Sequence, residues 1–204
     1  MVKYTLHYFQ ARGQVECARL LLAYGGEEFE DKRYSLKEFR ETMPNGQLPV
    51  LEVDGKKLSQ SEAIYRYLGR EYNLYGKSNW EASIIDSIMG QYKDFFDEVK
   101  DFILTAAGYV DKGDLNKLRE DLFVPASKKF FPVLQKYIKE SGNGYLTESG
   151  PTWIDFFFAE EFDGMNHFAP GFYETYPEFK QLNAKIHSLP QLQTYLKSRP
   201  QSAL

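Results

Sequence analysis

Val2–Leu22, VKYTLHYFQARGQVECARLLL, reads as a strand, a tight loop and a helix. Val2, Tyr4, Leu6 and Tyr8 alternate with Lys3, Thr5 and His7, the period of a half-buried strand. Gly13 breaks the chain, and Val15, Cys17, Ala18, Leu21 and Leu22 then recur at helical spacing. Tyr8 therefore falls where a strand ends and a helix is about to begin. Unpaired backbone N–H groups and the positive end of the helix dipole collect at such a point, which suits an anion. A phenol there can donate a hydrogen bond to a bound thiolate or oxyanion. Read on this stretch alone, Tyr8 is more simply the last inward residue of a strand; the rest of the chain shifts that balance.

The following segments extend an α/β pattern. Gly25-Gly26 stops the helix, and Phe29–Tyr34 has the composition of a short strand. Ser35–Met43 is polar and expected as loop with at most a helical turn. Leu48–Val53 is apolar and β-branched, and Asp54-Gly55 is a two-residue hairpin turn into Lys56–Leu58. Ser59-Gln60-Ser61-Glu62 fits a Ser-x-x-Glu capping box opening a helix with Ala63, Ile64, Tyr67 and Leu68 on one face. The order β-α-β-loop-β-β-α is too short for a doubly wound nucleotide fold.

Asn73–Asn79 is polar, contains a glycine and reads as a linker. Beyond it the period is helical throughout. Ile84/Ile85, Ile88/Met89, Tyr92, Phe95/Phe96, Val99 and Phe102/Ile103 mark a long amphipathic helix whose polar face carries Asp86, Asp94, Asp97 and Asp101. Leu115 to Ile138 marks another, with Pro125 and Pro132 expected to kink or interrupt it. Thr152-Trp153-Ile154-Asp155 is a capping-box variant, and Trp153–Phe168 is apolar on nearly every side, as in the central helix of a bundle. Two short helices are expected around Pro177–His187 and Pro190–Lys197. The fold class is thus α/β plus all-α, with a first domain over 1–75 and a helical one over 80–204.

Bulk properties narrow the function. Hydrophobic residues make up 43% and charged residues 26% of 204 residues, the balance of a globular protein with a sizeable core. The net charge of -4 argues against nucleic acid or an anionic membrane surface as the main partner. The opening residues hold no signal-like apolar run and no stretch is long enough to span a bilayer, so a cytoplasmic protein is expected. The single cysteine permits no internal disulfide, which fits a reducing compartment. His7, His167 and His187 lack ligand spacing, so no metal is expected, and an acidic helix face is usually solvated or part of an interface. Cys17 sits among apolar helix positions, where a structural thiol is the commoner reading. With no G-x-S-x-G elbow, phosphate loop or C-x-x-C after the first strand, the chain offers no nucleophile of its own. An enzyme of this composition would take its reactive group from a cosubstrate.

Five motifs stand in order along the chain: Tyr8-Phe9-x-x-Arg12-Gly13-x-x-Glu16, Gly46-Gln47-Leu48-Pro49-Val50-Leu51, Leu58-x-Gln60-Ser61-x-Ala63-Ile64, Thr152-Trp153-x-Asp155 and Ser198-Arg199-Pro200-Gln201. Through them the chain resembles, over its whole length, the cytosolic glutathione transferases of the sigma class, the class that includes glutathione-dependent prostaglandin D synthases. The resemblance implies a thioredoxin-like N-terminal domain that holds glutathione as cosubstrate, with no metal, and a helical domain that completes the site for an apolar electrophile. It implies a cis Pro49 that presents the Leu48 backbone, beside Gln47, to the cysteinyl part of glutathione. Tyr8 is implied to donate its hydroxyl to the sulfur, while Gln60 and Ser61 receive the γ-glutamyl end. Phe39 stands where the family usually has a tryptophan, and Arg40 stands in for a lysine that binds the glycyl carboxylate, in a segment about three residues shorter than the family pattern. Asp94 matches an aspartate that reaches into the other subunit's site, which implies a homodimer.

The electrophile pocket is expected to be lined by Phe9, Ala11, Gly13, Gln14, Phe96, Phe157, Glu161 and Leu204, with Phe96 and Phe157 equally readable as core. Gln14 replaces an arginine that supports the thiolate in some vertebrate members, so a less depressed thiol pKa is expected. Activation by one phenol is energetically sufficient. Lowering a thiol pKa by about two units needs roughly 2.7 kcal/mol, and a hydrogen bond to an anion contributes about 1.5–3 kcal/mol. The implied activity is detoxifying conjugation of glutathione to apolar electrophiles. The alternatives are a carrier of apolar ligands such as haem, a glutathione-dependent prostaglandin isomerase, or a structural descendant without activity.

Overall fold

The computed structural model describes residues 2–35 and 43–200. Its first part holds a four-stranded sheet of order β2-β1-β3-β4, from β1 (Tyr4–Phe9), β2 (Phe29–Tyr34), β3 (Val50–Val53) and β4 (Lys56–Ser59). β1 runs parallel to β2, with Tyr4 opposite Phe29, and antiparallel to β3, with Tyr4 opposite Val53. A parallel neighbour needs a crossover, and α1 (Glu16–Tyr24), entered through a 3-10 turn at Gly13–Val15, supplies it. β3 and β4 form the expected hairpin, in which Asp54 (φ 48°) and Gly55 (φ 82°) take the left-handed conformations of a tight turn.

The half-buried reading of β1 is corrected. Tyr4 to Tyr8 are all buried, Thr5 and His7 included, because β1 lies inside the sheet. The two polar residues are accommodated by partners: His7 Nδ1 lies 2.8 Å from the Tyr34 hydroxyl, and Thr5 Oγ1 donates to Glu30 at 3.4 Å.

The capping box at Ser59 is also corrected. Ser59 ends β4, and α2 (Ser61–Glu71) is entered through Gln60, whose φ of 75° and ψ of 114° turn the chain sharply and whose side chain makes no capping bond. The buried face of α2 is Ile64, Tyr65, Leu68 and Gly69, shifted by one position from the expected stripe so that it meets Trp153. A Cβ at Gly69 would lie 2.7 Å from Trp153 Cδ1, so glycine sets this close approach between the two parts of the molecule. The 73–79 segment is docked rather than free: Leu74 is buried, and its carbonyl accepts the Trp153 N–H at 2.7 Å.

The helical part comprises α3 (Asn79–Ala106), α4 (Leu115–Leu118), α5 (Val124–Ser141), α6 (Trp153–Phe168), α7 (Phe172–Thr175), α8 (Pro177–His187) and α9 (Gln193–Ser198). The helix expected from Leu115 to Ile138 is divided by a π segment at Arg119–Phe123, before the prolines. Pro125 follows closely on that π segment, whose backbone is helical up to Val124, and α5 continues through Pro132. α6 is buried nearly all round and packs on α1, α2, α3 and α8. Its start is held by Asp155, which accepts from the Thr152 N–H (2.8 Å), the Thr152 hydroxyl (2.9 Å) and the Leu146 N–H (2.7 Å). Stacked rings, such as Phe162 on Phe179 at 4.2 Å and Phe95 on Phe130 at 4.8 Å, fill the core around it.

Candidate active site

Tyr8 lies near the end of β1 and is buried, with its ring 5.2 Å from that of Phe9. Its hydroxyl oxygen accepts the Gln14 N–H at 3.2 Å, one of the free donors at the entry to α1. Burial pushes the phenol above its ordinary pKa, more than the Gln14 N–H pulls it down. Tyr8 therefore keeps its proton at neutral pH, as a donor rather than a base. The Gln14 carbonyl accepts the Tyr65 hydroxyl, so the backbone N–H and C=O of this one residue are both held by buried tyrosines. Gly13 is required by the same geometry: its φ is 40°, and a Cβ there would meet the Tyr8 oxygen at 2.8 Å.

Two larger cavities flank this point. A cleft of about 370 Å³ is lined by Phe9, Gln14, Gly46, Gln47, Leu48, Pro49, Gln60 and Ser61. The Leu48–Pro49 peptide is cis, as expected. Ser61 opens α2 here, and the positive φ of Gln60 is a backbone strain sited at the cleft wall. Gln60 Nε2 and Gln47 Oε1 are 3.5 Å apart across it. On the other side, a mainly apolar pocket of about 560 Å³ includes Tyr8, Phe9, Ala11, Gly13, Gln14, Phe96 and Glu161 in its wall. Gln14 borders both cavities.

Of the expected pocket residues, Phe157 stands apart. It is buried edge-on against Tyr92, with centroids 4.8 Å apart, and borders a smaller cavity of about 140 Å³ next to Ser61 and Gln14. Phe39, Arg40 and Leu204 lie outside the described residues. Asp94 is exposed on α3. Asp86, by contrast, is tied to Arg66 (2.8 Å) and Tyr75 (2.7 Å), and Asp97 to Lys100 (3.0 Å). Cys17 is buried, donates to the Trp153 carbonyl at 3.7 Å, and is pushed up in pKa by burial.

The sequence reading missed Tyr65, Tyr92 and Tyr109, of which the last two border the larger pocket. Helical spacing held a signal for the first two. Tyr65 is one turn beyond Ser61, and Tyr92 one turn before Phe96. Tyr109 follows α3 in a loop whose path no periodicity reveals.

Two family signatures match this arrangement: "Glutathione S-transferase, N-terminal domain" over residues 4–70 and "Glutathione S-transferase, C-terminal domain" over residues 93–199. The chain belongs to the glutathione S-transferase family. Among its relatives, the probable glutathione S-transferase 5 of Caenorhabditis elegans is 40% identical over 98% of both chains. A Nu-class enzyme structure from Haemonchus contortus is similar at 42% identity, full coverage of both chains and a TM-score of 0.89. A structure described as a monomeric glutathione S-transferase from Necator americanus is similar at 40% identity and a TM-score of 0.91, with 99% of this chain and 100% of that one covered.

Proposed function

We propose that this protein conjugates glutathione to apolar electrophiles, with the thiolate stabilised by the Tyr8 hydroxyl. The observation that carries this reading is the position of Tyr8, a buried protonated phenol bordering an apolar pocket beside a polar cleft. In this reading Gln60 and Ser61 hold the γ-glutamyl end, where the start of α2 attracts its carboxylate. Gln47, Leu48 and cis Pro49 face the cysteinyl part, and Phe39 and Arg40 serve the glycyl end. The electrophile enters between Phe9, Ala11, Gly13, Gln14, Phe96 and Glu161, with Phe157 behind them; the expected lining role of Leu204 falls outside the described residues. These are the roles implied by the sigma-class resemblance; the relatives named above are nematode proteins, one of them described as Nu-class.

Tyr8 supplies a donor on the side where negative charge sits once the thiol loses its proton. It carries no charge of its own, and neither does Gln14, so the stabilisation is a matter of oriented dipoles. Detoxification in the cytoplasm is the setting that fits such an activity, and no helix among the described residues is long and apolar enough to cross a membrane. A homodimer in which the partner's copy of Asp94 completes the glutathione site is part of the proposal, supported by the exposure of that carboxylate. The monomeric relative makes sedimentation of this chain, with and without Asp94→Asn, the direct check.

The function is tested by glutathione conjugation to a generic aromatic electrophile in wild type and Tyr8→Phe. Turnover that collapses in the variant while glutathione still binds is the expected result. Equal loss of binding and turnover would make Tyr8 structural. No turnover with intact glutathione binding would favour a carrier of apolar ligands.

A further inference from the structure

Glu161 projects from α6 into the wall shared by the 560 Å³ pocket and the 140 Å³ cavity. Its Oε2 accepts the Tyr92 hydroxyl at 2.5 Å, and no cationic side chain among the described residues pairs with it. The charges around it are already matched. On α2, Glu62 pairs with Arg66 and Lys93, each at 3.1 Å. On α3, Lys93 is thereby engaged and Asp97 pairs with Lys100 at 3.0 Å. On α6, Glu160 is held by Arg12 (3.1 Å), Arg199 (3.1 Å) and His187 (2.7 Å). The remaining titratable neighbours are Tyr8 from β1, Cys17 from α1, Tyr65 from α2 and Tyr92 from α3, all neutral at physiological pH because burial raises each of them. Burial, helped by the adjacent Glu160 charge and opposed by the Tyr92 hydrogen bond, pushes the Glu161 carboxyl up to about 7.

We propose that Glu161 is a catalytic proton donor to the anion that develops on an electrophile held in the apolar pocket. This rests on the conjugation reading and extends it to electrophiles that must gain a proton, such as conjugated carbonyl compounds. The glutathione sulfur attacks the β-carbon and the C–S bond forms; the C=C π pair becomes a π bond between the α-carbon and the carbonyl carbon, and the C=O π pair moves onto the oxygen. The O–H bond on Glu161 breaks, and its proton passes to that oxygen. The resulting enol tautomerises to the carbonyl product, and the carboxylate recovers a proton from water. Oε2 is engaged by Tyr92, which leaves Oε1 to carry the proton. Substitution on a chloroarene requires no such step, because chloride leaves with the bonding pair.

The experiment compares kcat/KM for nonenal with that for chlorodinitrobenzene, both with glutathione, from pH 5.5 to 8.5. Thiolate formation is common to the two reactions and cancels in their ratio. In wild type the nonenal-to-chloroarene ratio is expected to fall about tenfold per pH unit above about 7. Glu161→Gln should lower the ratio at pH 6 at least about tenfold and leave it flat with pH. Tyr92→Phe removes a hydrogen bond to the charged form, so the break should move to higher pH. A wild-type ratio independent of pH, or a Glu161→Gln loss equal for both electrophiles, would overturn the proposal. Absence of turnover with both electrophiles in wild type would instead overturn the conjugation reading, and this proposal with it.

Discussion

Arg199 Nη1 lies 2.9 Å from Glu16 Oε1, joining two residues 183 positions apart in the chain. The same nitrogen lies 3.1 Å from Glu160 Oε1, and Glu160 Oε2 is 3.1 Å from Arg12. Glu16 also meets Arg19 at 3.0 Å and the Tyr195 hydroxyl at 2.8 Å. Three residues that carry the family resemblance, Arg12, Glu16 and Arg199, thus belong to one ionic network that fastens α1 to α6 and to the segment after α9. Breaking a buried pair by removing one partner costs about 3–5 kcal/mol. Arg199→Met is expected at the low end, about 3 kcal/mol, because Glu16 retains two partners. Urea unfolding monitored by tryptophan fluorescence checks it; a loss below about 0.5 kcal/mol would show that the network adjusts freely.

The contact between Gly13 and the Tyr8 hydroxyl yields a second prediction. Gly13→Ala adds a carbon 2.8 Å from the Tyr8 oxygen at a φ of 40°. Either the 3-10 turn or the phenol must shift. A shift that weakens the thiolate hydrogen bond by about 1.4 kcal/mol slows turnover about tenfold. Steady-state kinetics should therefore show a lower kcat with a smaller change in the KM for glutathione. Wild-type kcat would mean that the phenol has room to move.

Gln14 borders both the polar cleft and the apolar pocket with an exposed, uncharged side chain. Replacing it with arginine places a full charge where the thiolate is proposed to sit. Gln14→Arg should lower the pKa of the bound thiol by about one unit. Titration of the ultraviolet thiolate band in the glutathione complex measures this directly. An unchanged midpoint would place the sulfur beyond reach of this side chain.

Glu161 also leaves a mark on stability. Its folded pKa of about 7 lies above the ordinary glutamate value of about 4.3, so the folded state holds the proton more tightly than the unfolded one. Its favourable contribution is complete below about pH 4.3 and is lost as pH rises through about 7. Relative to Glu161→Gln, wild type should lose up to about 4 kcal/mol over this window. Melting temperatures of both proteins from pH 4.5 to 8 would reveal the divergence. Parallel curves would show that the carboxyl titrates normally.

The sequence specified most of the fold because its strongest signals were local. β2 occupies the expected residues, α6 reads as a buried helix from composition, and Asp155 announces its own cap. The errors arose where distant packing decided the outcome. Thr5 and His7 of β1 are buried because Glu30 and Tyr34 of β2 and Glu52 of β3 reach over to them, a fact absent from the alternation of β1 itself. The Ser-x-x-Glu spacing puts Ser59 at the head of α2, yet β3 holds it as the last residue of β4, opposite Val50. The residues proposed for the site are legible where they sit at an element boundary, as Tyr8 and Ser61 do. Tyr65 and Tyr92 act through partners far along the chain, Gln14 and Glu161, and only the folded arrangement brings them together.

Cys17 is the only cysteine in the chain, and it is enclosed between α1 and α6 with its hydrogen directed at the Trp153 carbonyl. A protein that admits alkylating compounds risks being consumed by them. Here the protein's own thiol is both hidden and kept protonated by burial, so the only thiol at the proposed site arrives with the cosubstrate and departs with the product as a thioether. The packing of the first helix thereby closes one route, alkylation of Cys17, by which the proposed activity would damage the protein.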